Sequence, residues 1–238
     1  MIHPTASVSP SARIGNDVTI GPFVTVGDHV ILGDGCIVDH GVILDGHTTV
    51  GARNHFYPCC AVGTPPQDLK YHGEPTELHI GDDNTFREYV TVNTGTVTGE
   101  GVTRIGSRCF IMACAHVAHD CNLDDDVILA NSALLGGHVY VEQGAKLMGN
   151  ASVNPFVTIG TLAYVGGLTR IVQDVPPFSI VEGHPAKVRG INVVGCERAG
   201  MAAEKIEALR KAYVRIFRTR DNRARVLDQV TEDPGSVP

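Results

Sequence analysis

The chain has 238 residues, 43% of them hydrophobic but only 5% aromatic, with no tryptophan, 27 glycines and a formal net charge of −7. No apolar run approaches the ~20 residues that span a bilayer, and the opening MIHPTASVSPSAR has neither the basic flank nor the apolar core of a signal peptide, so neither a transmembrane segment nor export is expected. Seven cysteines without a CxxC pairing argue against a disulfide framework or a thiolate zinc site, and reduced thiols in a cytoplasmic setting fit better.

From the first residues onward a bulky apolar side chain recurs at every sixth position: Ile2, Val8, Ile14, Ile20 and on without a break to Val62. The series resumes at Ile80, Phe86 and Val92, and again from Ile105 through Val117, Leu135 and Val153 to Ile171, 26 positions in all. A period of six fits neither an amphipathic helix nor an ordinary alternating strand. It fits short strands joined by tight turns, with one bulky side chain per segment facing a common axis and three segments to a coil. A glycine after the apolar residue, as in IGNDVT and IGPFVT, suits the corners. The predicted architecture is an all-β solenoid over residues 1–186, interrupted by outward loops at 63–79 (GTPPQDLKYHGEPTELH) and 97–104 (VTGEGVTR). Loops on a rigid scaffold commonly carry binding residues.

Past Asp174 prolines end the repeat, and residues 187–238 are predicted to form a C-terminal helical region. MAAEKIEALRKAYVRIFR sets Ile206, Leu209, Tyr213 and Ile216 on one helical face, ahead of a disordered EDPGSVP tail. Charge is split along the chain: residues 1–186 hold 8 Lys and Arg against 19 Asp and Glu, whereas 187–225 hold 11 against 4. A basic segment beside an acidic body points to a local anionic partner, and no nucleic acid is expected.

One short stretch stands out, CAHVAHDC from Cys114 to Cys121. In register, Val117 is a core position, His119 follows it on the same short strand segment, and His116 lies near the preceding corner. Asp120 beside His119 can fix the imidazole tautomer and raise its basicity, as general base catalysis requires. HVAH, with His138 a coil further on, also offers imidazoles to zinc, but neither thiol has a suitably spaced partner, and no metal is expected. In LLGGHVYV the pair Gly136–Gly137 is either an ordinary tight corner or a place where a backbone N–H faces a ligand as an oxyanion donor. Asp68 and Lys70, in PPQDLKYHGEPT, offer polar and charged groups on the first loop.

Together QDLKYHGEPT, AHVAHDC, ILANSALLGGHV, IVQDVPPFSIVEG and GINVVGCER resemble the bacterial UDP-N-acetylglucosamine acyltransferases, members of the hexapeptide-repeat acyltransferases, over almost the whole chain. The resemblance implies a left-handed parallel β-helix. It implies transfer of an (R)-3-hydroxyacyl chain from acyl carrier protein to the sugar 3-hydroxyl of UDP-N-acetylglucosamine, the first step of lipid A synthesis. It also implies a homotrimer with active sites between subunits. No cofactor is implied, because the phosphopantetheine arm arrives on the carrier. His119 matches the general base, supported by Asp120, with His116 lining the cleft. The Gly137 N–H matches the oxyanion donor, and His138 a contact to the acyl-chain hydroxyl. Asp68 and Lys70 match groups that position the sugar and the donor, and Asn192 and Arg198 match nucleotide contacts. Gly167 aligns with the position that limits acyl length. Two departures surround the acceptor: Asn154–Pro155 replaces a His-Gln pair, and Val194 replaces a carboxylate. A 3-amino sugar nucleotide, giving an amide, is the nearest alternative acceptor, and a zinc-dependent hydratase is the alternative reaction on the same fold.

Overall fold

A computed structural model describes residues 1–218. The strands are mostly two residues long and deal themselves in turn onto three sheets of nine, eight and ten strands, each strand pairing with the one three places on until Ser179–Glu182, which joins Tyr164–Val165, and Lys187–Ile191, which joins Ser179–Glu182. All of these pairings are parallel except the last, where Lys187–Ile191 runs antiparallel to Ser179–Glu182. This is the expected left-handed parallel β-helix, a triangular prism with one sheet on each face. The chain passes from the first face (the sheet holding Ser7–Val8) to the second (Arg13–Ile14) and the third (Thr19–Ile20) and back again.

The six-residue series forms the core. From Ile20 to Ile171 every position in it is buried, and Phe56 stacks on Phe86 in the next coil at 4.8 Å. Only the first rungs differ: Ile2 is 51% exposed, and Val8 and Ile14 are half-buried. Burying a continuous column of Val, Ile and Leu stabilises the stack at roughly 25 cal/mol per Å² of apolar surface.

The register needs one correction. The core residue is the second and last of each two-residue strand, as in His116–Val117, so the corner begins directly after it. The third residue after the core position takes the left-handed conformation, and there it is mostly not glycine: Asp120, Ser132, His138, Asn150 and Phe156 all have φ near +60°. The glycine immediately after the core residue serves close approach instead. A Cβ on Gly33 would lie 2.4 Å from the Gly51 carbonyl oxygen of the next coil.

The first interruption is shorter than predicted, and the second begins and ends three residues earlier. Ala61–Thr64, Glu77–Ile80 and Val102–Ile105 are strands, so the outward segments are 65–76 and 94–101. Glu77–Ile80 alternates exposed and buried residues, with Leu78 and Ile80 inward, which keeps it in the second sheet beside Val102–Ile105. Both segments leave the prism on the same edge, between the first and second faces. The C-terminal region opens as the strand Lys187–Ile191 before two helices, α1 (Val193–Arg198) and α2 (Ala203–Tyr213). The predicted EDPGSVP tail lies outside the described residues, as do the basic residues beyond Arg218.

Candidate active site

His119, Asp120, Gly137 and His138 converge on the edge from which both loops emerge. The corrected register puts His119 and Asp120 on the corner itself, and His116 on the strand of the first face. Asp120, His138 and Phe156 each occupy the left-handed corner position of successive coils. The corner twist thus aims side chains from three coils at one place.

His119 Nδ1 lies 2.8 Å from Asp120 Oδ2, and the Asp120 side chain is 2% exposed against 15% for His119. An ionised carboxylate only accepts hydrogen bonds, so the Nδ1 proton donates to it and Nε2 keeps its lone pair. That is the tautomer a base needs. Burial works against charge on Asp120. The Thr96 hydroxyl (2.6 Å to Oδ2), the Thr96 N–H (3.0 Å to Oδ1) and His119 outweigh it and hold the carboxyl below its usual range, helped by the nearby His138. The Asp120 N–H donates to Thr103 Oγ1 at 2.8 Å, fixing the corner from the other side.

Gly137 is glycine because of His119. A Cβ there would lie 2.5 Å from His119 Cε1 and 2.7 Å from Nε2, so the basic edge of the imidazole lies over this backbone. Its neighbour Gly136 answers to the following coil, where a Cβ would meet Pro155 at 2.8 Å. Neither glycine has a positive φ, so close approach accounts for the pair and a strained turn does not. The Gly137 N–H has no hydrogen-bond partner among the described residues, leaving a donor beside the imidazole. His138 meets His119 edge-on at 5.1 Å and stacks on Phe156 at 4.4 Å, and its Nε2 is 3.7 Å from Asp120 Oδ2. His116 Nδ1 is 2.8 Å from Thr91 Oγ1, and burial, with His119 nearby, pushes its imidazole below the ordinary value.

Donor atoms of His119, Asp120 and His138 lie within 4.8 Å of one another, near enough to hold a cation. Both carboxylate oxygens, however, already accept bonds from Thr96 or His119, so a metal would have to displace one of them. The donor set suits a hydrogen-bonded ionised carboxylate better. The cysteines of CAHVAHDC do not join the cluster: Cys121 is buried, its thiol donating to the Gly136 carbonyl and pushed up to about 12 by burial.

The other predicted residues lie elsewhere in the chain. Asp68 and Lys70 occupy the first loop, where Asp68 Oδ1 accepts the Lys70 N–H at 3.0 Å. Asn93 ties the base of that loop, donating to the Pro65 carbonyl at 2.9 Å. Gly167 is on the edge between the third and first faces, where an added Cβ would meet the Gly149 carbonyl at 3.2 Å. Asn192 is buried and caps α1: it accepts from the Gly195 N–H and donates to the Leu162 carbonyl at 2.8 Å. Arg198 lines a 640 Å³ cleft on the remaining edge with Arg108, Phe110, Lys146, Leu162 and Gly195. One chain therefore brings together the base, its carboxylate, the glycine and His138, but not Gly167, Asn192 or Arg198. Sequence reading missed Thr96 and Thr103. The threonine- and glycine-rich NTGTVTGEGVT was their only trace.

Residues 174–237 match the family model described as UDP-N-acetylglucosamine O-acyltransferase, domain 2. Over 175 residues the chain is 50% identical to an acyl-[acyl-carrier-protein]–UDP-N-acetylglucosamine O-acyltransferase of Synechocystis, covering 74% of this chain and 63% of that protein. The corresponding protein of an Anaeromyxobacter species is 48% identical over 190 residues, covering 80% of this chain and 74% of its own length. The UDP-N-acetylglucosamine acyltransferase of Bacteroides fragilis superposes with a TM-score of 0.95 at 34% identity, covering all of this chain and 92% of its own. The enzyme of Acinetobacter baumannii gives 0.96 at 37%, with the same coverage.

Proposed function

The chain belongs to the UDP-N-acetylglucosamine O-acyltransferase family, and from that premise we propose that it moves an (R)-3-hydroxyacyl group from acyl carrier protein to the 3-hydroxyl of UDP-N-acetylglucosamine. His119 Nε2 takes the proton of the sugar hydroxyl while the hydroxyl oxygen attacks the thioester carbonyl. The oxyanion that forms accepts a hydrogen bond from the Gly137 N–H, which has no other partner among the described residues. As the tetrahedral intermediate collapses, the carbon–sulfur bond breaks and the imidazolium returns its proton to the departing thiolate. An ester and a free phosphopantetheine thiol result. Asp120 stays ionised throughout and stabilises the imidazolium. No covalent acyl-enzyme is needed, so neither Cys114 nor Cys121 has a part.

The observation that carries this reading is the His119–Asp120 pair at 2.8 Å, set over the one glycine that leaves room for the imidazole. The separation of Gly167, Asn192 and Arg198 from that pair within one chain supports a homotrimer, in which a neighbouring subunit brings the nucleotide and acyl-chain contacts to each base. The exposed lysines of α2 suit an acidic carrier. Among the described residues no helix is long and apolar enough to cross a membrane, in keeping with a cytoplasmic site of action.

The test is acyl transfer from hydroxyacyl carriers of several chain lengths, run in parallel on UDP-N-acetylglucosamine and its 3-amino counterpart. Ester formation exceeding amide formation is the expected result. Preference for the amine would transfer the chemistry to the other acceptor, and Asn154–Pro155 and Val194 would be the residues to revert. Bound zinc in stoichiometric amount, with hydration in place of transfer, would replace the reading altogether.

A further inference from the structure

The second interruption of the repeat does more than loop outward. Its residue Thr96 is 2% exposed and meets the Asp120 carboxylate twice, through the backbone N–H (3.0 Å to Oδ1) and the hydroxyl (2.6 Å to Oδ2). The segment is braced for this. The Thr96 carbonyl accepts the N–H groups of Gly99 (3.1 Å) and Gly101 (3.0 Å), and the Thr98 hydroxyl lies 3.0 Å from that of Thr96. Gly99 closes the remaining side: a Cβ there would lie 2.5 Å from the Asp120 carboxylate. The hydroxyl of Thr96 and Nδ1 of His119 share one oxygen, Oδ2.

We infer that segment 94–101 is a carboxylate clamp in which Thr96 is a positioning residue for catalysis, holding Asp120 so that Oδ2 faces His119 and sharing that oxygen with it. The inference rests on the reading of His119 as base, and it gives the insertion a task at the candidate site. In a later coil Thr161 meets Glu142 through its N–H (2.7 Å) and hydroxyl (2.6 Å), but both bonds go to one oxygen, Oε2, whereas Thr96 takes one bond to each oxygen of Asp120 and shares Oδ2 with His119.

The clamp has an electrostatic side as well. A hydroxyl bonded to Oδ2 draws charge from it, so the carboxylate holds the His119 proton less tightly than it would alone. The other titratable and charged groups near Asp120 are few. His138 faces it at 3.7 Å from the following coil, the Cys121 thiol adjoins it, His116 lies beyond His119, and Glu100 on the clamp is paired with Arg104 at 2.8 Å. Removing the Thr96 hydroxyl leaves the ion pair between His119 and Asp120 stronger and the carboxylate less fixed.

The test is Thr96→Val beside Thr96→Ser, read two ways on the full chain. In kinetics, the valine variant is expected to lose about tenfold in kcat, the scale of one hydrogen bond to a charged group. Its KM values should stay unchanged, while serine restores kcat. In nitrogen-15 spectra of the histidine rings, which need no substrate, wild-type His119 is expected as the Nδ1–H tautomer, and the valine variant should show a mixture of tautomers that serine returns to the wild-type signal. A valine variant with wild-type kcat and the wild-type nitrogen-15 signal would overturn the clamp, as would a serine variant no better than valine. A wild-type protein that transfers no acyl group would instead refute the functional reading and leave the spectroscopic result standing.

Discussion

Gly137→Ala adds one methyl group where the structure leaves no place for it. The new Cβ would lie 2.5 Å from His119 Cε1 and 2.7 Å from Nε2, whereas carbon atoms in contact rest about 3.5–4.0 Å apart. The imidazole must therefore retreat by about 1 Å, or the corner must give. Retreat is resisted, because Nδ1 is held by Asp120 at 2.8 Å and His138 closes the flank at 5.1 Å. A displacement of that size at a proton-transferring atom costs on the order of 10²-fold in rate, and the overpacking costs about 1–3 kcal/mol of stability. The control is Gly149→Ala, whose Cβ would have its nearest neighbour at 3.5 Å, an ordinary contact. Steady-state acyl transfer and thermal melting of both variants give the comparison. Gly137→Ala should lose at least about a hundredfold in kcat while Gly149→Ala retains nearly all of it. A Gly137→Ala enzyme within about twofold of wild type would refute the placement of the imidazole over this backbone.

Three further outcomes follow from the same geometry. His116 has its folded-state pKa lowered by burial, so the unfolded chain binds its proton first. Stability should fall as pH drops below the ordinary histidine value of about 6.5, and melting of His116→Gln between pH 7 and 5 should show a shallower decline than wild type. Cys114 is exposed, whereas burial pushes the Cys60, Cys109 and Cys121 thiols up to about 12. Native thiol labelling should reach Cys114 and spare those three, and Cys114→Ser should keep full turnover; inactivation would point to a covalent intermediate. Lys205 and Lys211 are exposed on α2, and reversing both to Glu should raise KM for the carrier about three- to tenfold at low salt and flatten its salt dependence. An unchanged salt slope would remove α2 from the docking surface.

The core was legible because one constraint repeats: each strand ends on a side chain that must face the axis, and 26 such positions leave little choice of fold. What the period could not give was the phase of the corner. Reading Val117 as the start of a segment put His119 on a strand, whereas two-residue strands ending on Val117 put His119 and Asp120 in the turn. Coil-to-coil neighbours at a spacing of 18 were readable in principle, and Asp120 and His138 meet that way. Thr96 was hidden for the opposite reason: the insertion puts it 24 residues from Asp120 and not the 18 of a regular coil, so the coil spacing could not find it. Gly137 was singled out for its missing Cβ. The reason that Cβ is missing, an imidazole from the preceding coil, became visible only in three dimensions.

The role of His119 is tested most directly by the rate of ester formation between a 3-hydroxyacyl carrier and UDP-N-acetylglucosamine, measured for wild type and His119→Ala on folded protein of matched melting temperature. Loss of the base should lower kcat by on the order of 10²–10⁴, with little change in KM for either substrate. Turnover that survives the substitution would contradict the mechanism at its centre.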